Sequence, residues 1–179
     1  MYSWREAYRA FGAKPAKFGS SIEAMVRRVL NDNELPGINT IVDIGNIISL
    51  RHTITAGGHA IDEVSGNLSL RKATGKEEFT AFGTDKSENP EPGEIIFTED
   101  NTVLTRRWSW RQAVHTSTQK STTAVEMNID GLPPVTKDEV DKICQEAMDL
   151  IQKYCGGKLR YEILSENNPE MELTLINDE

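Results

Sequence analysis

The sequence predicts an α+β domain, in which helical segments at both ends enclose a β-rich centre. Apolar residues recur at helical spacing in the N-terminal third of the chain and again after residue 136. Between these segments, apolar and polar residues alternate in short runs that glycine, proline and asparagine separate. The 179 residues, 37% of them hydrophobic, are enough for a single domain with a buried core, spanning residues 1–179.

Two short helices are predicted near the N-terminus. The first carries an aromatic stripe, because Trp4, Tyr8 and Phe11 fall on one side of a helix. The second begins with a capping box, Ser20-x-x-Glu23, and continues with apolar residues on one face. Both segments therefore have the pattern of amphipathic helices that pack on a core.

A third helix is predicted over residues 39–51, although its many β-branched residues are also compatible with a strand. Asn46 lies among the apolar residues of this segment and needs a hydrogen-bond partner if it is buried. It could orient a ligand or cap a turn. The pair Gly57-Gly58 then predicts a flexible turn that ends this part of the chain.

The centre of the chain is predicted to consist of strands. Polar loops are expected at residues 84–94 and 114–123, and an Asp-Asn turn at 100–101. The predicted strands cover residues 68–70, 79–82, 95–97, 103–110 and 125–130.

A long helix and a C-terminal extension complete the prediction. The capping box Thr136-x-x-Glu139 opens the helix, and two glycines at 156–157 end it. Apolar residues alternate again around Tyr161 and Leu173. We therefore expect residues 158–179 to form a strand extension.

The net charge of −8 argues against general binding of nucleic acids, but the charge is unevenly distributed. Residues 1–30 carry six basic and two acidic side chains, and residues 102–125 carry four basic and no acidic ones. Residues 137–179 carry eleven acidic and five basic side chains. The basic stretches can hold one defined segment of a polyanion, or they simply form a solvated surface.

Several classes of protein are excluded by what the sequence lacks. No stretch approaches the roughly 20 apolar residues that span a bilayer, and the N-terminus lacks the apolar run of a signal peptide, so a cytoplasmic location without a membrane is expected. Cys144 and Cys155 fall on one predicted helix, about 16 Å apart, too far for a disulfide. His52, His59 and His115 show no ligand spacing, so we expect no metal and no cofactor.

Two segments combine residue types that bind ligands. In Gly57-Gly58-His59 the backbone can approach a ligand and the imidazole can hydrogen-bond it, although an ordinary loop with a surface histidine is the simpler interpretation. Residues 106–111 read Arg-Arg-Trp-Ser-Trp-Arg, so guanidinium groups could pair with phosphates while indoles stack on bases. Alternatively, Trp108 and Trp110 lie in the core of a strand and the arginines cover them.

A family resemblance connects these segments. Trp4-Arg-Glu-Ala-Tyr, Arg107-Trp-Ser-Trp-Arg111 and Gly131-Leu-Pro-Pro are similar to segments of small free-standing proteins related to the B-three/B-four (B3/4) domain of the phenylalanyl-tRNA synthetase β subunit. The resemblance runs through roughly residues 4–157. It implies a mixed sheet with a ligand pocket, packed against helices. Because such relatives begin with a further segment, the resemblance also implies that this sequence is either a fragment or a shortened version of them.

In the synthetase this domain hydrolyses tyrosine wrongly esterified to the tRNA for phenylalanine. The resemblance therefore implies an RNA-binding domain that recognises the aminoacylated 3′ end of a tRNA and removes a mischarged amino acid in trans, without ligase activity. Aminoacyl esters are labile, so a positioned water and a stabilised oxyanion would supply the rate.

The resemblance also implies roles for particular residues. Asn46 and His59 match an asparagine and a histidine of the editing pocket, and they are the expected catalytic residues. Glu126 or Asp130 would match the strand glutamate that recognises the tyrosine hydroxyl, and both stay candidates. Further expected substrate contacts are Gly57, Gly58, Trp108 and Trp110. The expected RNA contacts are Arg106, Arg107, Arg111 and Lys120.

A non-catalytic function is the alternative. Residues 107–111 replace the glycine-rich pocket wall of the synthetase, so the amino-acid specificity is not implied. Together with the acidic net charge, this change favours a binding module for a free amino acid, a nucleotide or a protein partner.

Overall fold

The computed structural model describes residues 1–62 and 64–173. This described part contains four helices: α1 (Tyr2–Ala10), α2 (Ser21–Leu30), α3 (Thr40–His52) and α4 (Lys137–Tyr154). It contains eight strands: β1 (Thr55–Ala60), β2 (Leu68–Lys72), β3 (Phe79–Thr80), β4 (Ser87–Glu88), β5 (Ile95–Glu99), β6 (Thr102–Arg106), β7 (Arg111–Gln112) and β8 (Val125–Asp130).

The strands form three antiparallel sheets. The largest has the order β2–β5–β6–β7, and β3 and β4 form a small hairpin beside it. The strands β1 and β8 form a separate pair, in which His59 lies directly opposite Glu126. The helix α3 packs against both β1 and α4. The predicted α+β class is confirmed, since helices at both ends of the chain enclose the strands.

Local hydrogen bonds explain where the helices begin. The Asn39 side chain caps α3 by accepting the Val42 N–H at 3.0 Å, so the segment that could have been a strand is a helix. The predicted capping box before α4 is confirmed, with Thr136 as the N-cap. The box predicted for α2 is wrong. Ser20 occupies the N-cap without a side-chain cap bond, and the Glu23 carboxylate pairs with Arg5 and Arg27.

Three apolar clusters hold the elements together. One packs Ile48 of α3 near Ile143 of α4, and a second contains Trp4 and Tyr8 of α1 with Ile22 of α2. The third lies on the four-stranded sheet and β3. The Trp4 cluster also contacts the segment between β6 and β7, so α1 and α2 support the loop that carries the two central tryptophans.

Two predictions for the centre of the chain are wrong. Gly57 and Gly58 lie inside β1 rather than in a turn, because β8 supplies a partner along the whole segment. The strand predicted for residues 103–110 ends at Arg106, since Arg107 and Trp108 adopt left-handed backbone conformations with φ of 47° and 64°. The chain turns there and continues as β7.

The C-terminal extension is not a pair of strands in the described part of the chain. Residues 159–163 have no strand partner, and only an isolated bridge joins Ser165 to Asn168. Residues 171–173 are also irregular, while Leu175, the end of the second predicted strand, lies outside the described residues. Tyr161 instead donates a hydrogen bond to Asp141 of α4 at 3.0 Å, so this segment lies against the helix.

Candidate functional site

A cavity of about 250 Å³ lies between α3, the β1–β8 pair and the segment that joins β6 to β7. We call it the central cavity. Most of its wall is apolar, and residues far apart in sequence form it, which is typical of a ligand site. Its apolar wall includes Ile41, Val42, Ala56, Phe97, Val125 and Met127.

The structure brings together many of the predicted site residues but not all of them. Those that line the central cavity are Asn46, Gly57, Gly58, His59, Trp108, Trp110 and Arg111. Those that do not line it are Arg106, Arg107, Lys120, Glu126 and Asp130.

The two glycines of β1 leave this part of the cavity wall without side chains. A Cβ atom at Gly58 would lie 3.0 Å from the Glu126 carbonyl oxygen and 3.3 Å from Val125 Cγ1. At Gly57 the nearest atom would be the Asn128 side-chain oxygen, at 3.4 Å. Glycine at position 58 therefore permits the close approach of β8 that aligns the two strands.

His59 is buried and uses both ring nitrogens. Its Nδ1 atom lies 2.9 Å from Glu126 Oε2, and its Nε2 atom lies 2.9 Å from Thr105 Oγ1. The His59 residue is only 2% exposed, and the centre of its ring lies 5.1 Å from the centre of the Phe97 ring. The expectation of a surface loop histidine is thus wrong, because strand pairing turns the imidazole inward.

Asn46 supplies an uncommitted amide. Its helix α3 places the residue at the cavity, and the side chain is half-buried. Within residues 1–62 and 64–173, this amide makes no hydrogen bond, whereas Asn39 and Asn128 both use theirs. Asn46 can therefore offer both a donor and an acceptor to a ligand.

Neither of the two acidic residues predicted to read the substrate lies on the cavity wall. The Glu126 carboxylate is engaged by His59, and its strand neighbours Val125 and Met127 line the cavity instead. Asp130 accepts hydrogen bonds from Thr55 at 3.1 Å and from Asn128 at 3.0 Å. Burial raises the pKa of the Asp130 carboxyl, although these hydrogen bonds oppose that shift.

Arg106 and Arg107 lie in the interior, where they are unavailable to a phosphate. Arg106 binds the Glu94 carboxylate through two nitrogens, at 2.9 and 2.8 Å, and also contacts Glu88 at 2.7 Å. Arg107 lies 3.2 Å from the same Glu94 carboxylate. The prediction that these two arginines contact RNA is not supported by their positions. The carboxylate that pairs with both arginines, that of Glu94, ends the polar loop predicted at residues 84–94. The spacing of residues in the sequence does not indicate this pairing.

The two tryptophans combine the interpretations that the sequence left open. Both are half-buried and pack on the Trp4 cluster, yet both also line the cavity. The Trp108 ring lies 5.0 Å from the Trp4 ring, and the Trp110 ring lies 4.9 Å from the Phe18 ring. They are rigid parts of the wall rather than free stacking platforms.

Two cations lie beside the contact between Trp110, which lines the cavity, and Phe18, which does not. The Arg111 guanidinium is 5.0 Å from the centre of the Trp110 ring, and the Lys17 ammonium is 5.1 Å from the centre of the Phe18 ring. Both side chains are exposed, and neither forms an ion pair with another described residue. Lys120 is exposed on the segment that follows β7. The contact between Phe18 and Trp110 thus joins the two basic stretches of the sequence.

Sequence reasoning missed several residues of the site. Thr105 contacts His59, and Gln112 donates to the carbonyl oxygens of Gly58 at 2.8 Å and Thr116 at 3.1 Å. A threonine in a strand and a glutamine beside a loop carry no motif. The position of Gln112, directly after the Arg-Trp-Ser-Trp-Arg segment, was the one available signal.

The described residues contain neither a candidate metal site nor a candidate membrane span. No group of three or more His, Cys, Asp or Glu side chains there could hold a metal ion. None of the helices in that part of the chain has the length and apolar character needed to cross a membrane.

Comparison with known proteins gives one match. A family model described as "B3/4 domain" matches residues 3–156, a range that begins one residue inside α1 and includes every later helix and strand up to α4. No curated protein matches the chain. The matched range agrees closely with the range of the resemblance seen in the sequence, and it covers every residue of the central cavity.

Proposed function

Because the chain belongs to the B3/4 domain family, the domain found in the phenylalanyl-tRNA synthetase β subunit, we propose that it binds the aminoacylated 3′ end of a tRNA and hydrolyses a mischarged aminoacyl ester in trans. One observation carries the proposal. A buried imidazole and an uncommitted amide, those of His59 and Asn46, meet in one apolar cavity. These are the groups that ester hydrolysis needs as a base and as an oxyanion donor.

The size of the cavity supports an aminoacyl group as its occupant. Its volume of about 250 Å³ is slightly below the roughly 300–1,000 Å³ of typical ligand pockets, so it suits a small group such as a single aminoacyl group. In this proposal the amino acid enters the cavity, with Gly57 and Gly58 making room for it. The terminal nucleotides stay at the rim.

One cation on the cavity wall and one beside the neighbouring Phe18 supply complementary charge for the tRNA end. Arg111 and Lys17 flank the aromatic pair of Trp110 and Phe18, and no described carboxylate neutralises them. In the proposal these cations contact phosphates, with Lys120 adding to the attraction at longer range. The interior positions of Arg106 and Arg107 leave them no part in this contact.

The test is an aminoacyl-tRNA deacylation assay with a panel of correctly and wrongly charged tRNAs. We expect release from a mischarged species, slowed at least about 100-fold by His59→Ala or Asn46→Ala. Affinity for the uncharged tRNA should change little in both variants. His52→Ala, at the far end of α3 and outside the cavity, is the matched control. Equal rates in the wild type and the two cavity variants would contradict the proposed site.

A binding module is the second candidate, and the positions of Glu126 and Asp130 favour it. Neither carboxylate reaches the cavity to read a substrate hydroxyl. If the folded protein accelerates no deacylation, we expect it to bind a free amino acid in the central cavity instead. Calorimetry with the twenty amino acids would detect such binding, and Asn46→Ala should weaken it.

A further inference from the structure

Three side chains from three strands form one hydrogen-bonded chain. Glu126 of β8 contacts His59 of β1, and His59 contacts Thr105 of β6, with both distances at 2.9 Å. An ionised carboxylate only accepts hydrogen bonds, so Nδ1 of His59 donates to Glu126. In the neutral imidazole Nε2 is then an acceptor, and the Thr105 hydroxyl donates to it.

The order of these three hydrogen-bonded side chains relative to the cavity indicates which group faces a ligand. Thr105 and His59 line the central cavity, whereas Glu126 lies behind them and is 18% exposed. The hydroxyl is therefore at the cavity end and the carboxylate at the far end. This order of hydroxyl, imidazole and orienting carboxylate is the arrangement that activates a hydroxyl for attack on an ester.

Three other hydroxyl groups of the cavity wall have different partners, and a fourth, that of Ser21, has none among the described residues. Thr55 donates to Asp130 at 3.1 Å, Ser109 lies 3.3 Å from the Tyr8 hydroxyl, and Thr118 accepts from Asn39 at 2.9 Å. Among the described residues, Thr105 is the cavity hydroxyl that contacts an imidazole. The imidazole can thus withdraw a proton from Thr105, whereas Thr55 contacts a carboxylate and the hydroxyls of Ser109 and Thr118 contact neither kind of base.

We propose that Thr105 is the nucleophile of an acyl transfer, a step that rests on the proposed deacylase function. Its Oγ1 atom attacks the ester carbonyl carbon while the hydroxyl proton passes to His59 Nε2. The bond between that carbon and the ribose oxygen breaks, and the leaving oxygen takes the proton from His59. Water then attacks the acyl-threonine ester, gives one proton to His59, and releases the amino acid as Thr105 regains its proton.

A purely structural role for Thr105 must be distinguished from this one, because a buried histidine needs partners for both nitrogens. Thr105→Val keeps the shape and removes the hydroxyl, and Thr105→Ser keeps the hydroxyl. Thr98→Val, on the neighbouring strand β5, is the matched control. Its hydroxyl is buried without a partner and does not line the cavity.

The experiment uses the full chain and two acyl donors. The first is the mischarged tRNA panel. The second is p-nitrophenyl trimethylacetate, whose bulky acyl group slows deacylation so that an acyl-enzyme accumulates. Samples are quenched with acid, and the mass of the protein and of its peptides is measured. We expect a trimethylacetyl adduct on the peptide containing Thr105 in the wild type and in Thr98→Val.

The variants decide the proposal. Thr105→Val should lose the adduct and hydrolyse both donors at least about 100-fold more slowly. Thr105→Ser should carry the adduct on the new hydroxyl, which keeps the test valid if the valine variant does not fold. The proposal would be overturned if the hydrolysis rate of Thr105→Val stayed within about threefold of the wild-type rate. The proposal would also be overturned if Thr105→Val hydrolysed both donors more slowly but the wild type formed no adduct. Thr105 would then only position His59.

The two donors also separate this proposal from the deacylase function. An adduct from the p-nitrophenyl ester without any tRNA deacylation would support the Thr105 nucleophile and contradict the tRNA substrate. Deacylation of tRNA with no adduct from either donor would support the function and leave direct attack by water as its chemistry.

Discussion

The ring of Phe18 meets the indole of Trp110 edge to face, with their centroids 4.9 Å apart and their planes at 79°. The Arg107 guanidinium lies over both rings, 3.7 Å from the Phe18 centroid and 4.6 Å from that of Trp110. This contact joins α2's leading segment to the loop between β6 and β7. It places two exposed cations, Lys17 and Arg111, on either side of one aromatic pair.

The exposed pair of cations predicts how salt affects RNA binding. The double variant Lys17→Ala with Arg111→Ala should bind tRNA more weakly at low salt, and its affinity should depend less on salt. Each lost phosphate contact should reduce the slope of log affinity against log salt concentration by about 0.7. Fluorescence anisotropy at several salt concentrations measures this slope. Lys72→Ala, on β2 at the opposite edge of the four-stranded sheet, should leave it unchanged.

The buried carboxylate of Glu94 predicts an unequal pair of stability changes. Glu94 neutralises both Arg106 and Arg107, and all three side chains are at most 7% exposed. Glu94→Gln leaves two buried cations without a full counter-charge, so it should lower the free energy of unfolding by about 3–5 kcal/mol. Glu88, whose side chain is half-exposed, contacts Arg106 from the other side. Glu88→Gln should cost less than about 1 kcal/mol.

Urea unfolding at pH 7 compares these two variants directly. Similar midpoints for Glu94→Gln and Glu88→Gln would contradict the view that Glu94 holds the buried arginines in place.

The glycines of β1 predict different responses to the same substitution. Gly58→Ala brings a Cβ atom to 3.0 Å from a backbone oxygen of β8, which cannot move without disturbing the strand pairing. We expect a loss of about 1–3 kcal/mol in the free energy of unfolding, with weaker deacylation because Glu126 shifts from His59. A Cβ atom at Gly57 meets only the Asn128 side chain, at an ordinary contact distance of 3.4 Å, so Gly57→Ala should stay within about 1 kcal/mol of the wild-type stability.

Acid should destabilise the protein through Glu77. Burial alone would raise the pKa of this carboxyl, but hydrogen bonds from Arg71 and from the Thr74 N–H outweigh it and lower the pKa to about 2. Because this value lies below that of the unfolded chain, about 4.3, the stabilisation is complete above that pH and is lost as the pH falls towards 2. The melting temperature should therefore fall through this window.

The matched variants for this effect are neighbours in sequence. Glu77→Gln should lower the melting temperature at pH 7 and make its decline in acid less steep. Some decline should persist, because Glu99 has a similarly lowered pKa of about 2. Glu78→Gln, on an exposed side chain, should change neither property. A decline in acid that is equally steep in all three proteins would show that Glu77 does not titrate with folding.

The sequence predicted the parts of the fold whose signals are local. The strand at residues 125–130 and the helix that begins after Thr136 match the structure, because alternation and a capping box determine them over a few residues. Gly57 and Gly58 were misinterpreted as a turn, since nothing near them in sequence shows that β8 is their partner. Two adjacent glycines in a sequence are compatible with a turn. They are equally compatible with a strand that a neighbouring strand approaches closely.

The site was predictable only where residue chemistry is distinctive. His59, Asn46 and the two tryptophans line the cavity, while their roles in catalysis and substrate binding stay predictions. The sequence does not show which arginines of this segment are buried and which are exposed. Arg106 and Arg107 are buried and pair with the Glu94 carboxylate, whereas Arg111 is exposed. Thr105 was missed because a hydroxyl acquires its significance only from the imidazole beside it.

The pairing of β1 with β8 has a consequence for how the protein is made. His59 and Glu126 are 67 positions apart, so their contact closes a long loop, a step that is entropically costly and slow compared with the hairpins between them. While the chain leaves the ribosome, the N-terminal helices can form well before residue 126 is available. The imidazole then has no carboxylate to orient it. A nascent or truncated chain that lacks β8 therefore leaves His59 without this partner, and recovery of the proposed deacylase activity during refolding would report the pairing of β1 with β8.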